Sequence, residues 1–189
     1  DAGVVAAVTY PTEPRASVSY LGSAPLADLG DQTVQVIDSD GILQLDVPVT
    51  ATPVLATSTE VVAYSDSSLW RIPFSGTPQE SSLPSPATAV GAPQAVTATG
   101  EAHLLVLWPT ATSSTSVVAL IDINAGTIVT EATVPSRAFT GDDAPIHSVD
   151  ADTMVVGNLF VDYTANPAVL EIDDVDVDAV NGSTVYGIS

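Results

Sequence analysis

The chain of 189 residues has no lysine and no cysteine, and only three arginines, Arg15, Arg71 and Arg137. Each absence excludes chemistry. Without cysteine there are no disulfides, no zinc–thiolate sites and no thiol nucleophile. Without lysine there is neither a Walker A phosphate loop nor a Schiff base. With 23 acidic residues against those three arginines, the net charge is −20. Nucleic-acid binding needs cations that replace the counterions on phosphate, so this charge argues against it. Attachment to an anionic membrane surface meets the same objection. Aromatic residues make up only 5% of the chain. No apolar run approaches the ~20 residues of a membrane helix, so this segment does not insert. The run Gly3 to Val8 is too short to span and reads first as a strand, with the tail of a removed signal or anchor as the alternative.

What is present is apolar and β-branched. Hydrophobic residues account for 46% of the chain, enough for a buried core and against disorder. They are mostly Val, Ala, Leu and Ile. No segment keeps apolar residues at helical spacing over three turns. Short β-branched runs are separated instead by Gly, Pro, Asn, Asp and Ser, the mark of strands and turns. Thr33–Ile37 and Ile42–Val47 flank Asp38-Ser39-Asp40-Gly41, which predicts a hairpin with Gly41 at a positive φ. Ser116–Asp122 and Thr127–Glu131 flank Ile123-Asn124-Ala125-Gly126, which predicts a second.

A weak apolar strand, a polar turn and a stronger apolar strand recur along the chain. Aligning the copies superposes positions 33, 60, 103, 153 and 184, at spacings of 27, 43, 50 and 31 residues. Prolines 25, 53, 93 and 145 precede copies. Propeller blades repeat every ~40–50 residues with four strands each. The middle spacings fit, and the outer two suggest three-stranded or degenerate units. Thr77–Pro93 and Pro135–Pro145 read as loops that join blades.

The segment Ala119-Leu120-Ile121-Asp122-Ile123-Asn124-Ala125-Gly126-Thr127-Ile128-Val129 is similar to the blade hairpin of PQQ-type and YVTN-type β-propeller repeats, which occur in exported bacterial proteins. There a strand ends in Ala-Leu-Asp, crosses a Thr-Gly turn and returns. This chain departs in having Ala125 for the usual Thr, and Val129 about where the family has a docking Trp. The resemblance is strongest over residues 53–157. It implies a fold and no activity. A quinone cofactor does not follow from the repeat alone.

The expected fold class is therefore all-β, a propeller-like repeat of short antiparallel sheets over residues 1–189 as a single domain, either an incomplete ring or a fragment of a larger propeller. Alternatively the last strand pairs with one near Val4–Tyr10 to close the ring. A β-sandwich is the alternative architecture, since it too needs many short strands with frequent turns.

Chemistry is sparse. The closing stretch Glu171–Ser189 holds Asp173, Asp174, Asp176 and Asp178. Aligned on a calcium-binding EF-hand loop from Asp174, it has Ala179 where the sharp turn needs Gly and Val185 where a bidentate Glu is needed. As a strand it alternates, with Asp174, Asp176 and Asp178 on one side and Val175, Val177 and Ala179 on the other. An acidic solvated strand is the favoured reading, and weak calcium binding by those three aspartates the other. Asp38-Ser39-Asp40-Gly41 reads as a turn, and Asp142, Asp143, Asp150 and Asp152 as loop and turn, with calcium the alternative for both. His103 and His147 lie 44 residues apart without a metal-ligand spacing, and no Gly-x-Ser-x-Gly elbow presents a nucleophile. In Ser68–Phe74, alternation sets Trp70, Ile72 and Phe74 on one face and Leu69 and Arg71 on the other. Trp70 reads as core packing between blades, or else as a partner contact. Trp108 precedes the polar run Thr110–Thr115 and is the better candidate for a surface contact.

The function expected is non-enzymatic: an extracytoplasmic, secreted or cell-surface module that binds a protein or cell-surface partner or serves as a scaffold. It needs no cofactor beyond weak calcium, and open blade edges give a further route to association. A cell-surface β-sandwich adhesin or structural module is the alternative, and a hydrolase of surface polymers ranks third.

Overall fold

The structure, a computed structural model, describes residues 17–19, 26–28, 32–38, 41–48, 50–99, 102–136, 146–148, 153–156, 159–162, 168–171, 176–181 and 184–188. Over these the chain is all-β, with no α-helix among the described residues. The strands hydrogen-bond in the order in which they are made, and every pair is antiparallel. The first sheet joins β1 (Ser17–Ser19), β2 (Leu26–Asp28), β3 (Thr33–Asp38) and β4 (Gly41–Asp46). The second joins β5 (Thr52–Ala56), β6 (Glu60–Tyr64), β7 (Ser68–Pro73) and β8 (Gln79–Ser82). The third joins β9 (Ala95–Thr99), β10 (His103–Pro109), β11 (Thr115–Asp122) and β12 (Thr127–Pro135). The fourth joins β13 (Ile146–Ser148), β14 (Thr153–Val156), β15 (Leu159–Asp162) and β16 (Ala168–Glu171). A last pair, β17 (Asp176–Asn181) and β18 (Thr184–Ile188), follows.

All five aligned positions of the sequence repeat fall on the first residue of a strand. Glu60, His103, Thr153 and Thr184 open the second strand of their sheets, but Thr33 opens the third. The first copy is thus one strand out of phase. In a meander each turn-and-strand step resembles the next, so the pattern alone does not number them. In phase, second strands begin at 26, 60, 103, 153 and 184, at spacings of 34, 43, 50 and 31. The stretch expected to join sheets from Thr77 also contains β8, and the connection proper starts after Ser82. The strand expected near Val4–Tyr10 lies outside the described residues.

Both expected hairpins form. In the first, Asp38 pairs with Gly41, whose φ of +136° is open to glycine alone. In the second, the Asp122 carboxylate closes the turn. Its Oδ1 accepts the backbone N–H groups of Asn124 (2.8 Å) and Ala125 (2.9 Å), while the Gly126 N–H donates to the Asp122 carbonyl at 2.8 Å. Gly126 sits at φ +63°, in the left-handed region. Pro53 lacks an N–H to give to the ladder, and the register of β5 on β6 shifts between Pro53 and Leu55.

The chain divides into two compact units, Asp1–Leu83 and Pro84–Ser189. In the first unit, one face of the second sheet packs on the first sheet. Val34, Val36 and Val47 meet Ala56, Val61, Ala63 and Ile72, with Leu45, Trp70 and Phe74 at the margin. The opposite face of the second sheet carries Leu55, Val62 and Leu69, also buried. In the second unit, five consecutive residues of β10 (Leu104–Trp108) and six of β11 (Ser116–Ile121) are buried. Neighbours along a strand point to opposite faces, so such runs mean a strand covered on both. Burial then falls towards the outer strand. β8 is exposed throughout, and β4 and β12 alternate between half-buried and exposed over most of their length.

Candidate functional site

Both tryptophans pack into cores, Trp70 as its first reading had it and Trp108 against its reading as a surface contact. Trp108 lies in β10 opposite Val117 and is 1% exposed. The polar run after it is an exposed turn, as its composition suggested. Its hydroxyls serve the turn itself: Thr110 Oγ1 and Thr115 Oγ1 are 2.7 Å apart, and Thr110 Oγ1 donates to the Thr112 carbonyl at 3.1 Å. The strand continues through Trp108 to Pro109 before the chain turns, so the indole is carried into the core and is not a surface contact. Trp70 is half-buried. It shares a face with Ile72 and Phe74, as alternation predicted, and all three belong to the core cluster of the first unit. Its Nε1–H is buried without an acceptor among the described residues.

On the other face of the second sheet, Arg71 reaches the carboxylate of Glu60. Arg71 Nη2 donates to Glu60 Oε1 at 2.6 Å, and Arg71 Nε lies 2.9 Å from Oε1 and 3.1 Å from Oε2. This forked geometry is the strong form of an ion pair. The hydrogen bond to Glu60 raises the Arg71 pKa, partial burial opposes it, and the charge of Glu60 adds to it. One of the chain's three cations is thereby committed to holding β6 to β7. The Thr57 hydroxyl braces the same corner, accepting the backbone N–H groups of Thr59 and Glu60, each at 3.2 Å. At the other end of β6, burial and then the charge of Asp66 raise the Tyr64 pKa. Composition hid this pair, because Arg71 and Glu60 meet only through the pairing of Val62 with Arg71. The scarcity of cations was the available signal.

In the third sheet, His103 and Asp122 are direct cross-strand partners. The Asp122 pKa is lowered, first by the Ala125 N–H, against an opposing desolvation, then by the Asn124 N–H and the nearby His103. The carboxylate is charged because the turn uses it. The Glu60–Arg71 pair and Asp122 therefore have structural duties that account for their geometry.

The acidic closing stretch forms strand β17 from Asp176, as the alternation indicated. The register against β18 shifts between Val177 and Ala179, an irregularity that alternation does not indicate. Asp174 lies outside the described residues, as do Asp142, Asp143, Asp150 and Asp152. His147 is in β13, paired with Val155 and not with His103. Among the described residues no three His, Asp or Glu side chains converge as a metal site would require.

No known protein-family model matches this chain, and no curated protein matches it.

Proposed function

We propose that the chain is a propeller-like repeat module, acting outside the cytoplasm as a non-enzymatic binding or scaffold domain. The observation that carries this reading is the fourfold recurrence of a four-stranded meander in strict chain order, with the middle strands β6, β10 and β11 covered on both faces. Blades that stack on one another bury both faces of each sheet and leave the outermost strand to solvent. A β-sandwich leaves one face of each sheet wet and reads as clean alternation. The second sheet, buried on its Val61 face and on its Val62 face, favours the stacked arrangement. Stacked repeats display their turns along one rim, a surface suited to binding.

The extracytoplasmic setting rests on composition: no cysteine, no lysine and a texture of Thr, Ser, Ala, Val and Pro. The non-enzymatic reading rests on the missing nucleophile elbow and on the structural duties of Glu60, Arg71 and Asp122. The net charge of −20 favours basic or cation-bridged partners.

Affinity electrophoresis through gels containing cell-surface polysaccharides, paired with an assay for released reducing ends, separates the classes. Retardation without release fits a binding module; release that a panel of Asp and Glu variants abolishes overturns it in favour of a hydrolase. A thermal melt with calcium, magnesium or chelator at matched ionic strength tests the aspartates of β17. The expected result is an equal rise with either ion, from charge screening. A saturable, calcium-selective rise assigns them a site and moves the function to calcium-dependent adhesion.

A further inference from the structure

We propose that the outer edge of β12 is a docking edge, at which an extended segment of a partner protein bearing a lysine or arginine opposite Glu131 adds a fifth strand to the third sheet. This deepens the binding-module reading and takes its biological sense from it.

β12 ends the order β9-β10-β11-β12, and no described residue hydrogen-bonds to its far side. At nine residues it is the longest of the described strands, against four for β8 and six for β4, the outer strands of the two preceding sheets. Proteins blunt such edges by shortness, by charged side chains (lysine above all), by proline or by bulges within the strand. β8 is short, and the chain has no lysine to spend. The β12 sequence, TIVTEATVP, is rich in β-branched residues, its proline comes only at the last position, and its register shift against β11 falls at Val129, which leaves Thr130–Pro135 in regular pairing.

The backbone of this edge is oriented for pairing. The Ser136 N–H donates to the Ser114 carbonyl at 3.0 Å, which marks that opposed pair as hydrogen-bonded. Such pairs alternate along an antiparallel ladder. Val134–Ser116 and Ala132–Val118 are then bonded inward, while Thr133 and Glu131 turn their N–H and C=O groups outward. The same stretch presents Glu131 and Thr133 as exposed side chains, and Val129, at the register shift beside it, is 55% exposed. An incoming strand would find backbone donors and acceptors flanked by an apolar patch and a carboxylate.

Charge selects the occupant. Glu131 is the only charged residue of β12 and stands at its centre. A second copy pairing antiparallel over the full length would set Glu131 against Glu131, and like charges directly opposite destabilise a ladder. Two chains of net charge −20 also repel at long range. A strand with a cation at its centre meets neither objection.

The test uses the full chain and a fluorescein-labelled peptide of nine residues, matched in length to β12: Thr-Val-Thr-Val-Lys-Val-Thr-Val-Thr, beside its Lys→Glu counterpart, read by anisotropy. The lysine peptide is expected to bind wild type about threefold or more tighter than the glutamate peptide, with the preference reversed by Glu131→Lys. Thr133→Pro removes an outward N–H that the sheet does not use, so the variant keeps its fold and loses about tenfold or more in affinity. Should Thr133→Pro melt early, Thr133→Lys, which keeps the ladder and sets a cation against the peptide's own, replaces it. Equal binding of both peptides, binding unchanged by these variants, or no saturable binding overturns the proposal. Concentration-dependent dimerisation that Thr133→Pro abolishes overturns it as well and gives the edge to a second copy. These readings do not depend on polymer turnover, so a failure of the non-enzymatic reading leaves them intact.

Discussion

The second and third sheets share one strand order and differ in how they are held. The second sheet has short strands, a forked Glu60–Arg71 pair on one face and an outer strand, β8, in which all four residues are exposed. Ser68 Oγ donates to Glu80 Oε1 at 2.6 Å, tying that outer strand to β7. The third sheet has longer strands and an apolar centre that contains Trp108. Its one carboxylate with a shifted pKa, Asp122, is spent on a turn. A repeated topology therefore needs no repeated interactions. What recurs is the gradient from middle strands buried on both faces to an outer strand in solvent, and each sheet reaches it with different residues.

The largest effect expected from breaking this contrast is at the tryptophans. Trp108→Ala empties a fully buried site and should cost about 3–5 kcal/mol in urea unfolding. Trp70→Phe should cost less than about 1 kcal/mol, since it removes a buried donor that has no acceptor along with part of a half-exposed ring. Equal losses at the two positions would erase the distinction between a packed centre and a margin. Next comes the ion pair. Arg71→Met leaves Glu60, with 15% of its side chain exposed, without its cation. Because the arginine is itself partly exposed, solvent screening limits the loss to about 1–2 kcal/mol. The double variant Arg71→Met with Glu60→Gln should recover part of it. A double-variant loss equal to the sum of the singles would mean that the pair does not couple.

The hairpins were legible in the sequence because the constraint is local. A turn that reverses the chain within a few residues needs a positive φ, and Gly41 and Gly126 supply it. The strand starts at Glu60, His103, Thr153 and Thr184 were legible as well, since each follows a polar turn and opens an apolar run. The phase of the first copy was not, because nothing within one strand-and-turn step records how many preceded it. Trp108 was misread from its neighbours: an exposed run after a residue says where the chain emerges, and leaves open which side of the strand the residue occupies. The Glu60–Arg71 pair depends on register between strands, which a linear reading does not carry. The acidic strand β17 was legible from its alternation, whereas its bulge was not.

Two smaller tests return to the turn that closes β11 on β12. Gly126→Ala places a Cβ in the left-handed region with open space around it, so only backbone strain opposes it, at about 1 kcal/mol. Asp122→Asn is the smallest change and the most specific. Asparagine keeps an acceptor for the Asn124 and Ala125 N–H groups but gives up the charge. Because the folded-state pKa of Asp122 is depressed, the unfolded chain takes up its proton first as pH falls. The stability gained from the charge is complete at neutral pH, above the unfolded value, and is lost as pH falls through the folded value. Melts of wild type and Asp122→Asn should therefore differ at neutral pH and converge in acid. His103→Gln should narrow the gap only slightly, since His103 is the weakest of the influences on that carboxylate. A gap that stays constant into acid would mean that amide geometry, and not charge, holds the turn. The third sheet would then owe its closure to shape alone, while the second still depends on its ion pair.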